Sequence, residues 1–186
     1  MSDSSTARRR ICVYCSSSTA ISPELIDFAY EVGKGIAERG WDLTWGGGSI
    51  SMMGAVARGA REHGANTIGV IPTKLINHEF EDHDATEMII VKDMRERKGK
   101  LEEISDAFIA LPGGIGTLEE FFEIWVGRYL NFHAKPIAVC DPIGAYGPLQ
   151  GAIDHLTELH LMKSGQSHLV TWTTKVSDAL DACSPE

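Results

Sequence analysis

Seven short apolar runs punctuate the chain, and between them the hydrophobic positions change to a three-to-four-residue spacing. Residues 10–15 (RICVYC), 42–45 (DLTW), 66–71 (NTIGVI), 87–92 (EMIIVK), 107–111 (AFIAL), 136–140 (PIAVC) and 168–172 (HLVTW) are mostly apolar and rich in β-branched or aromatic side chains. Such runs read as strands buried on both faces. The stretch SPELIDFAYEVGKGIAERG predicts a helix with Ser22 as N-cap, Pro23 at its first position and Gly40 at its close. Ile26, Ala29, Tyr30, Gly33 and Ala37 then share one face. Helical patterns follow at 50–63, 93–104, 117–131, 147–161 and 174–183. Alternation of this kind predicts an α/β fold, a doubly wound and mostly parallel sheet with helices on both faces. Residues 73–87 are polar and weakly periodic, as in a surface crossing of the kind that often carries function.

Composition narrows the classes. With 186 residues and 43% hydrophobic content, the chain is expected to form one domain over 10–186, preceded by a disordered tail at 1–9. Arg8 to Arg10 precede only five apolar residues, too few for a secretory signal core of roughly 7–15. No run approaches the ~18 apolar residues of a membrane span. The net charge of -9 argues against broad affinity for nucleic acid or anionic membrane. Four scattered cysteines fit a cytoplasmic chain with reduced thiols. Cys12 and Cys15 form C-x-x-C, but their odd spacing on a strand points them to opposite faces. The histidines show no metal-ligand spacing, so no metal is expected.

The candidate chemistry lies in two glycine loops. Gly46, Gly47 and Gly48 follow the second predicted strand, and Gly113, Gly114 and Gly116 follow the fifth. Ligands of open α/β sheets bind beyond the carboxyl ends of strands. Backbone N–H groups at a following helix start make an anion site there. Neither loop completes G-x-G-x-x-G, because Ser51 and Glu119 stand where the last glycine belongs. Neither is a P-loop: GGIGTLEE offers carboxylates where lysine is needed. A monophosphate, with the carboxylates reaching another part of the ligand, fits this chemistry better than a triphosphate. Two rival readings stand beside it. Thr117 to Glu120 is T-x-x-E, a capping box in which Glu120 would bond back to the helix start, and Gly46 to Gly48 could be a plain tight turn.

A basic helix, KDMRERKGKLEE, places Arg97 three residues from Met94 and four from Leu101, on the side that can face the crevice. Taken together, MRERK, PGGIGTLEE and WGGGSISMMG resemble the Lonely Guy (LOG) family of cytokinin riboside 5′-monophosphate phosphoribohydrolases, often labelled lysine decarboxylases. The resemblance runs from the first strand to about residue 140, and Pro112 to Glu120 carries its most specific motif. It implies a Rossmann-like homodimer that cleaves the N-glycosidic bond of an N6-modified AMP to free base and ribose 5-phosphate, without pyridoxal phosphate or another cofactor. Arg97 and Glu120 match the catalytic pair. Gly114, Ile115, Gly116 and Thr117 match the phosphate loop, with Leu118 and Glu119 beside it; Glu79 and Lys98 match further residues of the nucleotide site. Gly46 to Gly48 complete the expected substrate-binding set.

The chain departs from the family pattern at Ser16 and Ser51, where glycine is common, and at Val126-Gly127, where many members carry Thr-Trp. The serines are expected to narrow the pocket, and the second pair to change the base-side contact. Phe121, Phe122 and Trp125 are expected to contribute to the dimer contact. A non-catalytic nucleotide-binding module is the competing function. It needs phosphate donors but has no use for a carboxylate beneath the ribose, so Arg97 with Glu120 favours the enzyme. Lysine decarboxylation would require a bound pyridoxal chromophore, detectable in a visible spectrum.

Overall fold

The computed structural model describes residues 7–76, 81–163 and 165–185. The apolar runs become β1 (Arg10–Tyr14), β2 (Asp42–Trp45), β3 (Thr67–Pro72), β4 (Glu87–Val91), β5 (Ala107–Ala110), β6 (Ile137–Cys140) and β7 (Thr171–Thr173). They form one sheet in the order β4-β3-β2-β1-β5-β6-β7. Every strand pair is parallel, so the sheet is wholly rather than mostly parallel, and both its faces need cover.

That cover comes from α1 (Pro23–Glu38), α2 (Ser51–Glu62), α3 (Met94–Ile104), α4 (Ile115–Tyr129), α5 (Gly147–Glu158) and α6 (Val176–Ala182). Alternate side chains of β1 divide the core in two. Ile11 and Val13 pack with Ile36 of α1, Val56 of α2 and Leu180 of α6. Cys12 and Tyr14 pack with Leu101 of α3, Phe121 of α4 and Ile153 of α5. The fold is therefore doubly wound. Cys12 and Cys15 belong to opposite cores, as their odd spacing requires.

Three local expectations change. Residues Ser167–Leu169 form a single 3-10 turn, which delays β7 to Thr171. Helix α4 begins at Ile115, two residues before Thr117. Of the expected tail at 1–9, residues 1–6 lie outside the described residues, whereas Arg8 and Arg9 are held. Arg8 Nη1 donates to Asp42 Oδ1 at 3.2 Å and to the Gly64 carbonyl at 2.9 Å. Arg9 Nε donates to the Cys183 carbonyl at 2.7 Å. These bonds extend the anchored chain upstream of β1.

The strand order fixes where a ligand can enter. The chain leaves β1 toward α1 on one face and leaves its neighbour β5 toward α4 on the other. The two loops diverge, and the gap between them is the crevice that such sheets use for ligands. No helix among the described residues is long and apolar enough to cross a membrane.

Candidate active site

A cleft of about 350 Å³ opens at this divergence, within the roughly 300–1,000 Å³ usual for small-molecule sites. Cys15 to Ser18 after β1 form one wall, and Gly114 to Thr117 with Glu119 and Glu120 form the other. Met53 of α2 and Met94 and Arg97 of α3 complete the lining.

Arg97 is seated from three sides. Asp93 caps α3 by accepting from the Arg95 and Glu96 amides at 3.0 and 3.1 Å. The Glu96 amide first, and that of Arg95 after it, hold the Asp93 carboxyl below its usual range. One turn on, Arg97 leaves only 4% of its surface exposed. Its Nη1 approaches Met94 Sδ at 3.7 Å, and its Nε lies 4.0 Å from Glu120 Oε1. Below it sits Gly46: a Cβ there would come within 1.8 Å of Arg97 Nη2. Gly46 is therefore the floor on which the guanidinium rests.

Glu120 projects from the second turn of α4. The helix takes Gly114 as its N-cap, and no side chain caps it. Its internal ladder opens with the bond from the Leu118 amide to the Gly114 carbonyl at 3.1 Å, so the amides of Ile115, Gly116 and Thr117 precede it. Amides at such a helix start favour an anion. The capping-box reading of Thr117 and Glu120 does not hold. Thr117 is the third helical residue and Glu120 the sixth, too far along to reach the cap. Thr117 instead folds its side chain back on Gly113, where a Cβ would collide with Thr117 Oγ1 at 2.1 Å. Glu120 faces the cleft with its side chain 12% exposed.

Tyr14 and Cys12 of β1 are buried. Burial above all, then the neighbouring Cys12 and Glu120, push the Tyr14 phenol well above its ordinary range. Burial likewise pushes the Cys12 thiol up to about 12. The cleft-lining Cys15 thiol is raised as well, by burial first and the Glu120 carboxylate second. These groups stay protonated, and the charged side chains that line the cleft are Glu120, Arg97 and Glu119.

The remaining expected residues divide. Gly114, Ile115, Gly116, Thr117 and Glu119 line the cleft with Arg97 and Glu120. Leu118 turns to the core shared by α3, α4 and α5. Lys98 points behind Glu120 and pairs with Glu119 and Glu123. Burial pulls its ammonium down, but the two carboxylates outweigh burial and its affinity for the proton rises. Gly46, Gly47 and Gly48 are buried and line no part of the cleft. Gly47 has φ +80° and lies under Met88. Its carbonyl accepts from the Asp82 amide at 2.9 Å, and the Trp45 indole donates to the Gly48 carbonyl at 3.0 Å. Glu79 lies outside the described residues.

Of the departures, Ser16 does line the cleft. Ser51 does not; its hydroxyl donates to the Ser18 carbonyl at 2.5 Å. Gly127 packs under the His133 ring, where an added Cβ would stand 3.2 Å from Nε2, and Val126 is exposed on another face. Neither lines the cleft. Phe121 and Trp125 are core residues, 2% and 5% exposed, because α4 lies with that side against the sheet; the exposed apolar residues of the helix and its C-cap are Ile115, Val126 and Leu130. Sequence reasoning missed Ser17, Ser18, Met53 and Met94 as lining residues. Position beyond the central strand was the signal for the serines; the methionines gave none. Among the described residues, no group of three or more His, Cys, Asp or Glu could hold a metal ion.

Comparison with known proteins places this geometry in a family. A family model described as "Possible lysine decarboxylase" matches residues 53–183. The cytokinin riboside 5′-monophosphate phosphoribohydrolase of Mycobacterium tuberculosis is 46% identical over 175 residues, covering 94% of this chain and 93% of its own. The rice (Oryza sativa subsp. japonica) cytokinin riboside 5′-monophosphate phosphoribohydrolase LOG is 44% identical over 146 residues, 78% of this chain and 60% of its own. Among solved structures, a molybdenum cofactor binding protein from Rippkaea orientalis superposes with a TM-score of 0.71 at 22% identity, covering 95% of this chain and 96% of its own. The Moco carrier protein of Chlamydomonas reinhardtii gives 0.70 at 24% identity and 94% of each chain. Those two likenesses concern the fold alone. The extent and identity of the sequence matches show that the chain belongs to the Lonely Guy (LOG) family of cytokinin riboside 5′-monophosphate phosphoribohydrolases.

Proposed function

We propose that this chain hydrolyses the N-glycosidic bond of cytokinin riboside 5′-monophosphates, N6-modified forms of AMP, and releases the free base and ribose 5-phosphate. The observation that carries this reading is the Glu120 carboxylate, facing the cleft 4.0 Å from a buried arginine and in the second turn of a helix whose start no side chain caps. The 5′-phosphate docks on the amides of Ile115, Gly116 and Thr117. Four residues along the helix, about 6 Å at 1.5 Å per residue, Glu120 meets the ribose. As the C1′–N9 bond breaks, its electron pair leaves with the base and positive charge gathers on the sugar. Glu120 stabilises that charge and takes a proton from the water whose oxygen adds to C1′; that same proton then passes to a ring nitrogen of the departing base, which returns Glu120 to its carboxylate form. Arg97 binds ribose or phosphate oxygens as a fixed cation. Glu119, Lys98 and Glu79 support the nucleotide site, and Gly46 acts indirectly, through the seat it gives Arg97, with Gly47 and Gly48 shaping the turn beside it.

Met53, Met94 and the exposed Ile115 supply apolar surface for the purine. The chain works as a cytoplasmic homodimer. An apolar groove between α4 and α5, lined by Phe122, Val126, Tyr129, Leu149 and Leu156, supports that assembly. Its net charge of -9 disfavours nucleic acid as a partner. The test is chromatography of the products after incubation with AMP and with isopentenyladenosine monophosphate. Release of adenine or isopentenyladenine together with ribose 5-phosphate is expected. Tight nucleotide binding with no base release would make the chain a binding module instead.

A further inference from the structure

Three described non-glycine residues have left-handed backbone: Ser51 (φ 54°), Asn131 (φ 62°) and His160 (φ 59°). Asn131 and His160 each stand two residues beyond a helix end, where that conformation is an ordinary stop. Ser51 opens helix α2, where no stop is needed. Strain of this kind persists only where the surroundings over-determine it, and it gathers near functional sites.

The surroundings of Ser51 form a strut. Its hydroxyl donates to the Ser18 carbonyl at 2.5 Å. The Ser18 amide donates to Ser16 Oγ at 3.1 Å, and the Ser16 amide donates to the Pro112 carbonyl at 3.3 Å. Ser18 Oγ also accepts from the Ala20 amide at 3.3 Å. The strut thus runs from α2 through one wall of the cleft, Ser16 to Ser18, to the loop that leads into the other wall. The Ser51 bond is the link that joins this wall to the first residue of α2.

We propose that Ser51 is a positioning residue: its left-handed backbone aims its hydroxyl at Ser18 and so sets the width of the cleft between Ser16–Ser18 and Gly114–Thr117. It touches neither substrate nor reacting atoms. The proposal rests on the hydrolase reading for its kinetic test, and on the structure alone for its exchange test.

Two substitutions separate positioning from stability. Ser51→Gly removes the hydroxyl and also relieves the backbone. Ser51→Ala removes the hydroxyl and keeps the strain. Melting temperature is expected to hold or rise in the first and to fall in the second. KM for isopentenyladenosine monophosphate is expected to rise in both, by about 2- to 12-fold for the loss of one neutral hydrogen bond, with kcat within twofold of wild type. Amide hydrogen exchange at Ser17 and Ser18 is expected to quicken in both. A KM that rises only in Ser51→Ala, following its melting temperature, overturns the proposal, as does wild-type KM and exchange in Ser51→Gly. If the wild-type chain releases no base, the hydrolase reading fails by itself. The exchange rates then decide: faster exchange in both variants upholds the strut, and unchanged exchange refutes it.

Discussion

Gly46→Ala tests whether the seat of Arg97 matters to the chemistry. The added Cβ would lie 1.8 Å from Arg97 Nη2, and 2.9 Å from Arg97 Cζ and from Met53 Cε. Ordinary contact begins near 3.4 Å, so the guanidinium must recede by 3.4 − 1.8 = 1.6 Å. At an exposed arginine such a shift would be cheap. Here the residue is 4% exposed, with Met94 Sδ 3.7 Å away on one side and Glu120 Oε1 4.0 Å away on another. Overpacking of this sort costs about 1–3 kcal/mol, at about 2–4 °C of melting temperature per kcal/mol for a chain of this length. A misplacement of ~1 Å in a positioning group costs about 10²-fold in rate. The variant is therefore expected to fold, melt several degrees lower and release base about 100-fold more slowly. Calorimetry and product chromatography measure the two effects. A folded Gly46→Ala protein that retains base release within threefold of wild type would refute the claim that Arg97 must sit where Gly46 puts it.

Gly99→Ala, two residues beyond Arg97 on α3, is the matched control. A Cβ there meets nothing within 4 Å, so helix propensity alone predicts a gain of about 0.8–1 kcal/mol in a urea melt, with unchanged base release. The thiols of Cys12, Cys140 and Cys183 are each pushed up to about 12, with burial the main cause, from an ordinary 9.0. The folded chain holds these protons more tightly than the unfolded one. Their contribution to stability is therefore complete below pH 9 and declines as pH rises toward 12. Urea midpoints should fall between pH 9 and 11, and the folded protein should resist thiol reagents at pH 8; a midpoint that rises over that range would contradict the burial argument.

How much of this was legible in the sequence depends on the range of the interaction. The strands were, because a parallel sheet buried on both faces demands apolar runs, and Ile11, Leu43 and Ile109 obey that demand at 0% exposure. Arg97 was legible too, since its spacing from Met94 and Leu101 is set by a single helix. The roles of the two glycine loops were not. Both follow strands, but only the loop after β5 borders the divergence beside β1, and strand order is a property of the whole sheet. The loop after β2 ends up beneath Arg97 and Met88 instead. The start of α4 was misjudged for a local reason. Thr117 resembles an N-cap, but Gly114, in extended conformation at φ -89° and ψ -155°, starts the helix earlier, and Glu120 is thereby released from capping to face the cleft.

In the proposed reaction Glu120 carries the hydrolytic step, while other groups of the cleft hold the nucleoside monophosphate. Its most direct test is a single-turnover measurement on Glu120→Gln with isopentenyladenosine monophosphate, alongside nucleotide binding by calorimetry. Binding is expected to persist while base release slows by about 10²- to 10⁴-fold, the usual worth of a positioned acid–base or electrostatic group. Base release at the wild-type rate by a folded Glu120→Gln protein would contradict it.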